Sequence, residues 1–401
     1  MTFLMPAGIV LVACASILLA CRACTPLFAA IRQPRVIVEL CVGIAVGMLL
    51  AKLFGGTQQI ATVRTGLYWI SAPALFIYMY CIGYESDLTA FKSGLRDSSR
   101  VAIAGLVVPF GATYAALTLH LAPAFASGST LGELAISGAV SATAFPVLLR
   151  ILDETKRLGT RLGGIVLSAA GLDDIFSWTL LGVLTLLVQH SGGVSNLFAR
   201  LVAAVVCLFG AYACRLLVKQ QPSLVLTVIA SAGIVILALA ASLLTGIDPI
   251  VASFGAGLFT PASAIGSRLT AHLQHIATKA LPLFFGLSGM NVDVSGWWGA
   301  LPAVAFWTVL ASITKAGASF FAALASRFSS PDSVAIAALM NCRGLVGLIF
   351  LALARHNGLI DPSMYSILVI AALATTLMST PIVEWAGGTG WQSLKGRSAS
   401  P

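Results

Sequence analysis

Long apolar stretches alternate with short polar segments along the whole chain. Many of these stretches reach the roughly 20 residues that a helix needs to cross a bilayer. Hydropathy therefore predicts thirteen transmembrane helices. Their approximate ranges are 4–20, 36–54, 66–84, 100–121, 131–151, 162–189, 197–218, 223–244, 247–262, 276–292, 298–325, 333–354 and 362–385.

Lysine and arginine follow the same alternation. Seventeen of the 23 basic residues lie in loops after odd-numbered helices or in the C-terminal tail, and only four lie in loops after even-numbered helices. Cytoplasmic loops of membrane proteins are enriched in these residues. The pattern predicts an N-terminus outside and a C-terminus in the cytoplasm, in a protein of the bacterial inner membrane.

Composition supports one membrane domain over residues 1–390, followed by a short cytoplasmic tail at 391–401. Of the 401 residues, 58% are hydrophobic and 9% are charged, whereas soluble domains carry about 25% charged residues. The net charge of +9 does not indicate nucleic-acid binding, because the basic residues are spread between apolar spans. The eight cysteines include one CxxC pair, Cys21 and Cys24, without a second pair that would complete a metal site.

Four charged residues fall inside predicted spans. Asp173 and Asp174 lie in the sixth helix, Lys315 lies near the middle of the eleventh, and Arg343 near the middle of the twelfth. A charge at the bilayer centre costs about 2.5–3.5 kcal/mol on insertion scales, so such residues are functional candidates. A purely structural role, with the aspartates held by Lys315 and Arg343, is the alternative.

The adjacent aspartates favour function over structure. Neighbouring residues on a helix point about 100° apart, so one carboxylate can face a cation path while the other faces a basic partner. Burial disfavours a charged carboxylate and a nearby cation favours it. A carboxylate balanced between the two effects can exchange a proton for a metal cation.

The fifth predicted helix is interrupted near its centre. Pro146 removes a backbone donor, and Ser141 and Thr143 offer oxygens just before it.

The twelfth predicted helix is interrupted at a matching depth by Asn341, Arg343 and Gly344. Two interrupted helices seven apart, entering from opposite sides, predict an inverted repeat with its substrate site at mid-membrane. The predicted fold class is thus an all-α polytopic membrane protein of about thirteen helices, with inverted repeats and two broken crossing helices.

The motifs SATAFPVLLRIL, LSAAGLDDIFSW, LPLFFGLSGMNVDV, TKAG and MNCRGLVGLIFLALARHNGLI occur in this order. In this order they resemble the second monovalent cation–proton antiporter family over nearly the whole chain. The resemblance implies a sodium/proton antiporter-like fold and homodimers that work by elevator-like alternating access. It implies core helices at about 100–190 and 298–385, dimerisation helices at about 1–84 and 223–292, and a linker helix at about 197–218.

The resemblance also implies roles for single residues. Asp174 is the aspartate that binds an alkali cation or protons, Asp173 is its acidic neighbour, and Lys315 pairs with that neighbour. Thr143 lies at the broken crossing of the fifth helix, where Ala144 replaces an acid that some relatives carry.

The residues and the resemblance together lead to the hypothesis of an antiporter with one shared site. Asp173 and Asp174 bind either protons or a monovalent cation, sodium first and potassium second. Ser141 and Thr143 add neutral oxygens, which suit an alkali cation. Lys315 and Arg343 compensate charge. Neither a cofactor nor an enzyme activity is expected, because the sequence has no HExxH, GxSxG, GxGxxG or Walker-type motif.

Three alternatives remain open from the residues alone. A sodium-coupled organic-anion symporter can use Arg343 to bind a carboxylate, a cation channel can use the same acids without protons, and a membrane sensor needs no transport. His272 and His275 form a candidate pH-sensing pair or a plain loop pair. The sequence does not choose between sodium, potassium and lithium.

Overall fold

A computed structural model gives the structure of the chain. It describes residues 4–30, 33, 35–54, 58–85, 95–123, 129–155, 157, 160–188, 210, 212–213, 216, 224–245, 249–260, 264–293 and 297–397. Every regular element within these ranges is a helix, as the sequence predicts. The predicted linker helix at 197–218 lies almost wholly outside the described residues.

The described helices are numbered here in chain order. They are α1 (Leu4–Ala30), α2 (Arg35–Phe54), α3 (Gln58–Glu85), α4 (Leu95–Thr118), α5 (Thr130–Ser141), α6 (Phe145–Glu154), α7 (Arg161–Val188), α8 (Leu224–Thr245), α9 (Pro249–Phe259), α10 (Ala264–Met290), α11 (Trp297–Ala325), α12 (Ser330–Met340), α13 (Leu345–His356) and α14 (Pro362–Arg397).

Seven of the described helices are long and apolar enough to cross a membrane. They contain the segments Gly8–Ala30, Arg35–Leu53, Gln59–Tyr84, Arg96–Thr118, Arg161–Thr185, Trp298–Ala325 and Pro362–Ala386. Two shorter apolar helical segments, Ile229–Leu244 and Val346–His356, accompany them. The chain is an integral membrane protein.

Both predicted interruptions are present. The fifth predicted span is two helices, α5 and α6, separated by residues 142–144, and the twelfth is also two, α12 and α13, separated by residues 341–344. Pro146 is the second residue of α6, where a helix has no main-chain hydrogen bond to lose. The break therefore precedes the proline rather than falling on it.

The helix α10 begins twelve residues earlier than hydropathy predicts, at Ala264 instead of 276. Its first half contains exposed Arg268, His272 and His275, which lowered the hydropathy of that segment. Backbone helicity does not require an apolar sequence, so a hydropathy window misses a polar extension of a helix. The tail predicted at 391–401 likewise continues α14 as far as Arg397.

The chain divides into two compact units. The first contains residues 1–19, 49–90 and 178–287. In this unit α3 and α9 pack so closely that a side chain on Gly83 or Gly257 would collide with the main chain of the other helix. Small residues allow such approach between membrane helices. Trp178 stacks on Phe254, with ring centroids 5.6 Å apart.

The second unit contains residues 20–48, 91–177 and 288–401. Within it α4 packs against α11 and α5, and α13 packs against α5 and α14. Most of α2 belongs to this unit. A side chain on Gly47 would lie 2.9 Å from the Cα of Met290, and Gln33 Nε2 donates to Leu377 O at 3.4 Å. All the predicted site residues lie in this unit.

The contact between α3 and α9 leads to a stability prediction. A Cβ at position 257 would lie 2.0 Å from Tyr80 O, whereas one at Gly255 on the same helix meets no atom within 4 Å. We expect Gly257→Ala to lower the free energy of unfolding in detergent by about 1–3 kcal/mol through overpacking. Gly255→Ala is the matched control and should leave it unchanged or raise it. Equal stability of the two variants would contradict the described contact.

Candidate functional site

Asp173 and Asp174 lie near the middle of α7 and are both buried. Their exposed fractions are 1% and 6%. The same helix buries Ala169, Ala170 and Trp178 on either side of them. Buried carboxylates in such apolar surroundings need a partner, a proton or a cation.

Asp173 is held between a basic side chain and a main-chain amide. Its Oδ2 accepts a hydrogen bond from Thr143 N at 2.7 Å and lies 3.4 Å from Lys315 Nζ. Thr143 lies two residues before α6 begins at Phe145, and the N-terminal end of a helix carries a partial positive charge. Both contacts therefore favour a negatively charged Asp173.

Lys315 brings three elements together. Its side chain is fully buried, and Nζ donates to Gly105 O of α4 at 3.0 Å and to Ser141 O at the end of α5. With Asp173 as third acceptor, all three ammonium hydrogens have partners. The carbonyls at the C-terminal end of α5 carry partial negative charge, so the lysine also compensates that helix end.

Asp174 differs from its neighbour. The Oδ1 atoms of both aspartates are buried without a hydrogen-bond partner among the residues that the structure describes. Asp173, however, is held through its Oδ2, and no such contact among these residues holds Asp174. The two aspartates point about 100° apart around α7. Asp174 thus offers a buried carboxylate oxygen that is free to bind a ligand.

The two broken segments contact each other beside the aspartates. Ala144 N donates to Cys342 O at 2.9 Å, and Thr143 Oγ1 donates to Met340 O at 3.3 Å. A Cβ on Gly344 would lie 2.8 Å from the Cβ of Ala144. Only glycine at 344 permits this approach, and each break supplies hydrogen-bond partners for the other.

Arg343 lies in the second break and is buried. Its main-chain N donates to Thr376 Oγ1 at 2.9 Å, and its Nη2 donates to Ala311 O at 3.1 Å. Its Nε and Nη1 have no hydrogen-bond partner in the described part of the chain. The sequence suggested a salt bridge to the aspartates, but among the described residues the buried ion pair is that of Lys315 with Asp173.

The predicted hydroxyl oxygens are near the aspartates but already engaged as donors. Ser141 Oγ donates to Gly138 O at 3.1 Å, in addition to the contact of Thr143 with Met340. A hydroxyl that donates keeps lone pairs for a cation. Asn341 Nδ2 donates to Ser312 Oγ at 3.3 Å, and Asn341 Oδ1 has no partner among the described residues.

Sequence reasoning missed several residues around Lys315. Gly105 and Met340 contribute carbonyls, which no side-chain motif reveals. The hydroxyls on α11 were detectable: Thr308, Ser312 and Ser319 share a helix face with Lys315 at spacings of three and four residues.

The donor set suits an alkali cation better than a transition metal. Carboxylate, hydroxyl and carbonyl oxygens are hard ligands. No group of three or more His, Cys, Asp or Glu residues within the described ranges is arranged to hold a metal ion.

Comparison with known proteins then identifies the family. The profile of the family described as "Sodium/hydrogen exchanger, transmembrane" matches residues 15–386, which is most of the chain. The chain belongs to the sodium/hydrogen exchanger family. This assignment confirms the resemblance to monovalent cation–proton antiporters, a family of transporters.

Several curated exchangers are similar in sequence. Cation/H(+) antiporter 17 of Arabidopsis thaliana is 31% identical over 399 residues, covering 92% of this chain and 47% of the relative. The Na(+)/H(+) antiporter NhaS4 of Synechocystis sp. is 28% identical, covering 89% and 92%. The chain thus spans about half the length of the plant relative and nearly all of the cyanobacterial one.

A solved exchanger shares the fold. The sodium proton antiporter MjNhaP1 from Methanocaldococcus jannaschii aligns over 96% of this chain and 98% of its own, with a TM-score of 0.67 and 14% sequence identity. The likeness confirms the predicted fold class.

The buried pair of this exchanger leads to a second prediction. Lys315→Met leaves Asp173, Ser141 O and Gly105 O without their cationic partner. We expect the free energy of unfolding in detergent to fall by about 3–5 kcal/mol. Lys279→Met, an exposed lysine, should change it by no more than about 0.5 kcal/mol.

A double variant tests the pairing itself. Adding Asp173→Asn to Lys315→Met removes the uncompensated charge. The decreases in free energy of unfolding caused by the two single substitutions should therefore not add. We expect a coupling energy of about 0.5–3 kcal/mol from the double-mutant cycle. Strict additivity would mean that the two side chains do not interact.

Proposed function

We propose that the chain is a secondary active antiporter that exchanges a monovalent cation for protons by alternating access. The observation that carries the proposal is the buried carboxylate of Asp174, whose Oδ1 has no partner, beside a compensated Asp173–Lys315 pair. Membership of the sodium/hydrogen exchanger family supports it.

Competition for one site explains coupling. Asp174 binds either a proton or a cation, because both neutralise the same buried charge. A cation on Asp174 also lies next to Asp173, and Ser141 and Thr143 supply nearby hydroxyl oxygens. Binding of one ion excludes the other, so a crossing in one direction carries the cation and the return crossing carries the proton.

Lys315 and Arg343 keep the site near electrical balance. With both aspartates ionised, the two buried acids and two buried bases sum to zero charge. Loading a cation or a proton on Asp174 adds one positive charge in either case. The two loaded states are therefore electrostatically similar, which favours movement with either ion bound.

Sodium is the first candidate substrate and potassium the second. The name of the Synechocystis relative specifies sodium, and the name of GerN from Bacillus cereus, which is 25% identical over 95% of this chain and 97% of its own, specifies sodium and potassium. Oxygen ligands bind both ions, so the donor set does not separate them. The proposal includes a homodimer in the bacterial inner membrane with a role in pH homeostasis.

Transport by purified protein tests the proposal. In liposomes with an internal pH dye, external sodium or potassium should drive a pH change that Asp174→Asn reduces to the rate of empty liposomes. Neutralisation removes the charge for which both ions compete. The same assay with membrane potential clamped separates coupled exchange from electrical leak.

The matched control is Asp332→Asn, which neutralises an acid in the same unit at the start of α12. Asp332→Asn should keep the rate of cation-driven pH change that the unmodified protein shows. Full cation-driven proton movement in folded Asp174→Asn would overturn the proposal. Cation flux without proton movement would indicate the channel, and sodium-dependent uptake of an organic anion would indicate the symporter.

The proposed orientation has its own test. A cysteine at position 130, an exposed residue at the start of α5, should react with a membrane-impermeant maleimide added to intact cells. The charge distribution of the loops requires this face to be outside. Labelling of Thr130→Cys only in everted vesicles would reverse the orientation.

A further inference from the structure

The short helix α5 carries a line of polar residues on one face. Glu133, Ser137 and Ser141 follow one another at four-residue intervals, so they share a face. All three are buried, with exposed fractions of 8%, 0% and 1%. The line runs about 12 Å along the helix, from near its first residue to the carbonyl that binds Lys315.

Glu133 is mostly buried, with an exposed fraction of 8%, and its carboxylate has no hydrogen-bond or ion-pair partner among the described residues. It is not needed to cap α5, because Ser129 Oγ already accepts a hydrogen bond from Gly132 N at 3.0 Å. Its carboxylate oxygens are not among the enclosed side-chain atoms that lack a partner, so they remain open to an approaching ion. A cation at this point would supply the missing partner.

The equivalent position on α12 differs. The two half-helices enter from opposite sides and meet at their breaks, and each begins after a capping serine, Ser129 or Ser329. The fourth residue after the cap is Glu133 on α5 and Ser333 on α12. The acid of the first turn of α12, Asp332, is half-exposed and accepts from Ser329 Oγ at 2.8 Å. Among the described half-helices, only α5 buries an acid at this depth.

We infer that Glu133 is a second, separate cation-binding position, on the side of the membrane where α5 begins. It binds a small monovalent cation, with Ser137 as a neutral neighbour, before the cation reaches Asp174. The inference rests on the proposed exchange function. It makes the two faces of the protein unequal, because the side where α12 begins has a hydroxyl instead of an acid.

The expected consequence is a one-sided change in apparent affinity. A buried negative charge raises the local concentration of cations at an entrance. Without the Glu133 carboxylate, the KM for a cation supplied on the α5 side should rise roughly three- to tenfold, while kcat stays near that of the unmodified protein. The KM for cation supplied on the opposite side should not change.

The test compares Glu133→Gln with Asp332→Asn in right-side-out and everted membrane vesicles. Sodium or potassium is varied on the outer face of each, and the resulting proton movement is followed with a pH dye. The face on which α5 begins is first determined with the Thr130→Cys label. Glu133→Asp should restore most of the affinity, because it restores the charge.

The outcomes are distinct. A raised KM on the α5 face alone, rescued by Glu133→Asp and absent in Asp332→Asn, supports the inference. Equal changes on both faces, or a loss of kcat with unchanged KM, would show a structural role and overturn it. If the unmodified protein itself moves no protons with either cation, the proposed function fails. If the unmodified protein moves protons and Glu133→Gln has the same KM on both faces, only the inference of a second cation-binding position is wrong.

Discussion

A single buried ammonium group holds the site together. Lys315 comes from α11, yet its three hydrogens go to the carbonyl of Gly105, to the carbonyl of Ser141 and to the carboxylate of Asp173. A lysine fully removed from water would be unfavourable unless every hydrogen had an acceptor. Four helices, α4, α5, α7 and α11, are therefore constrained to meet at this point.

The broken helices depend on the same principle. Ending a helix inside a membrane leaves main-chain groups that neither lipid nor water can satisfy. Here Lys315 donates a hydrogen bond to the carbonyl at the end of α5. Thr143 N donates to Asp173, and Ala144 N donates to Cys342 O. The charged residues that form the candidate site therefore also stabilise the interruptions.

Much of this arrangement was predictable from the sequence, because membrane helices and buried charges leave strong signals. The interruptions at 142–144 and 341–344 were found from Pro146, Asn341 and Gly344. The partners of Arg343 were not predictable, since Ala311 and Thr376 contribute a carbonyl and a common hydroxyl. The polar first half of α10 was missed because hydropathy measures preference for lipid rather than helicity.

A capping serine, a half-helix and a break follow one another twice in the second unit. Ser129 and Ser329, Thr143 and Arg343, and Ala144 and Gly344 each lie 200 positions apart in the printed sequence. The capping serine is the same in both halves, whereas the residues at the two breaks differ. Each position of one half is therefore a natural reference for its counterpart, because a difference in side chain there changes the chemistry of one break and leaves the other as the comparison.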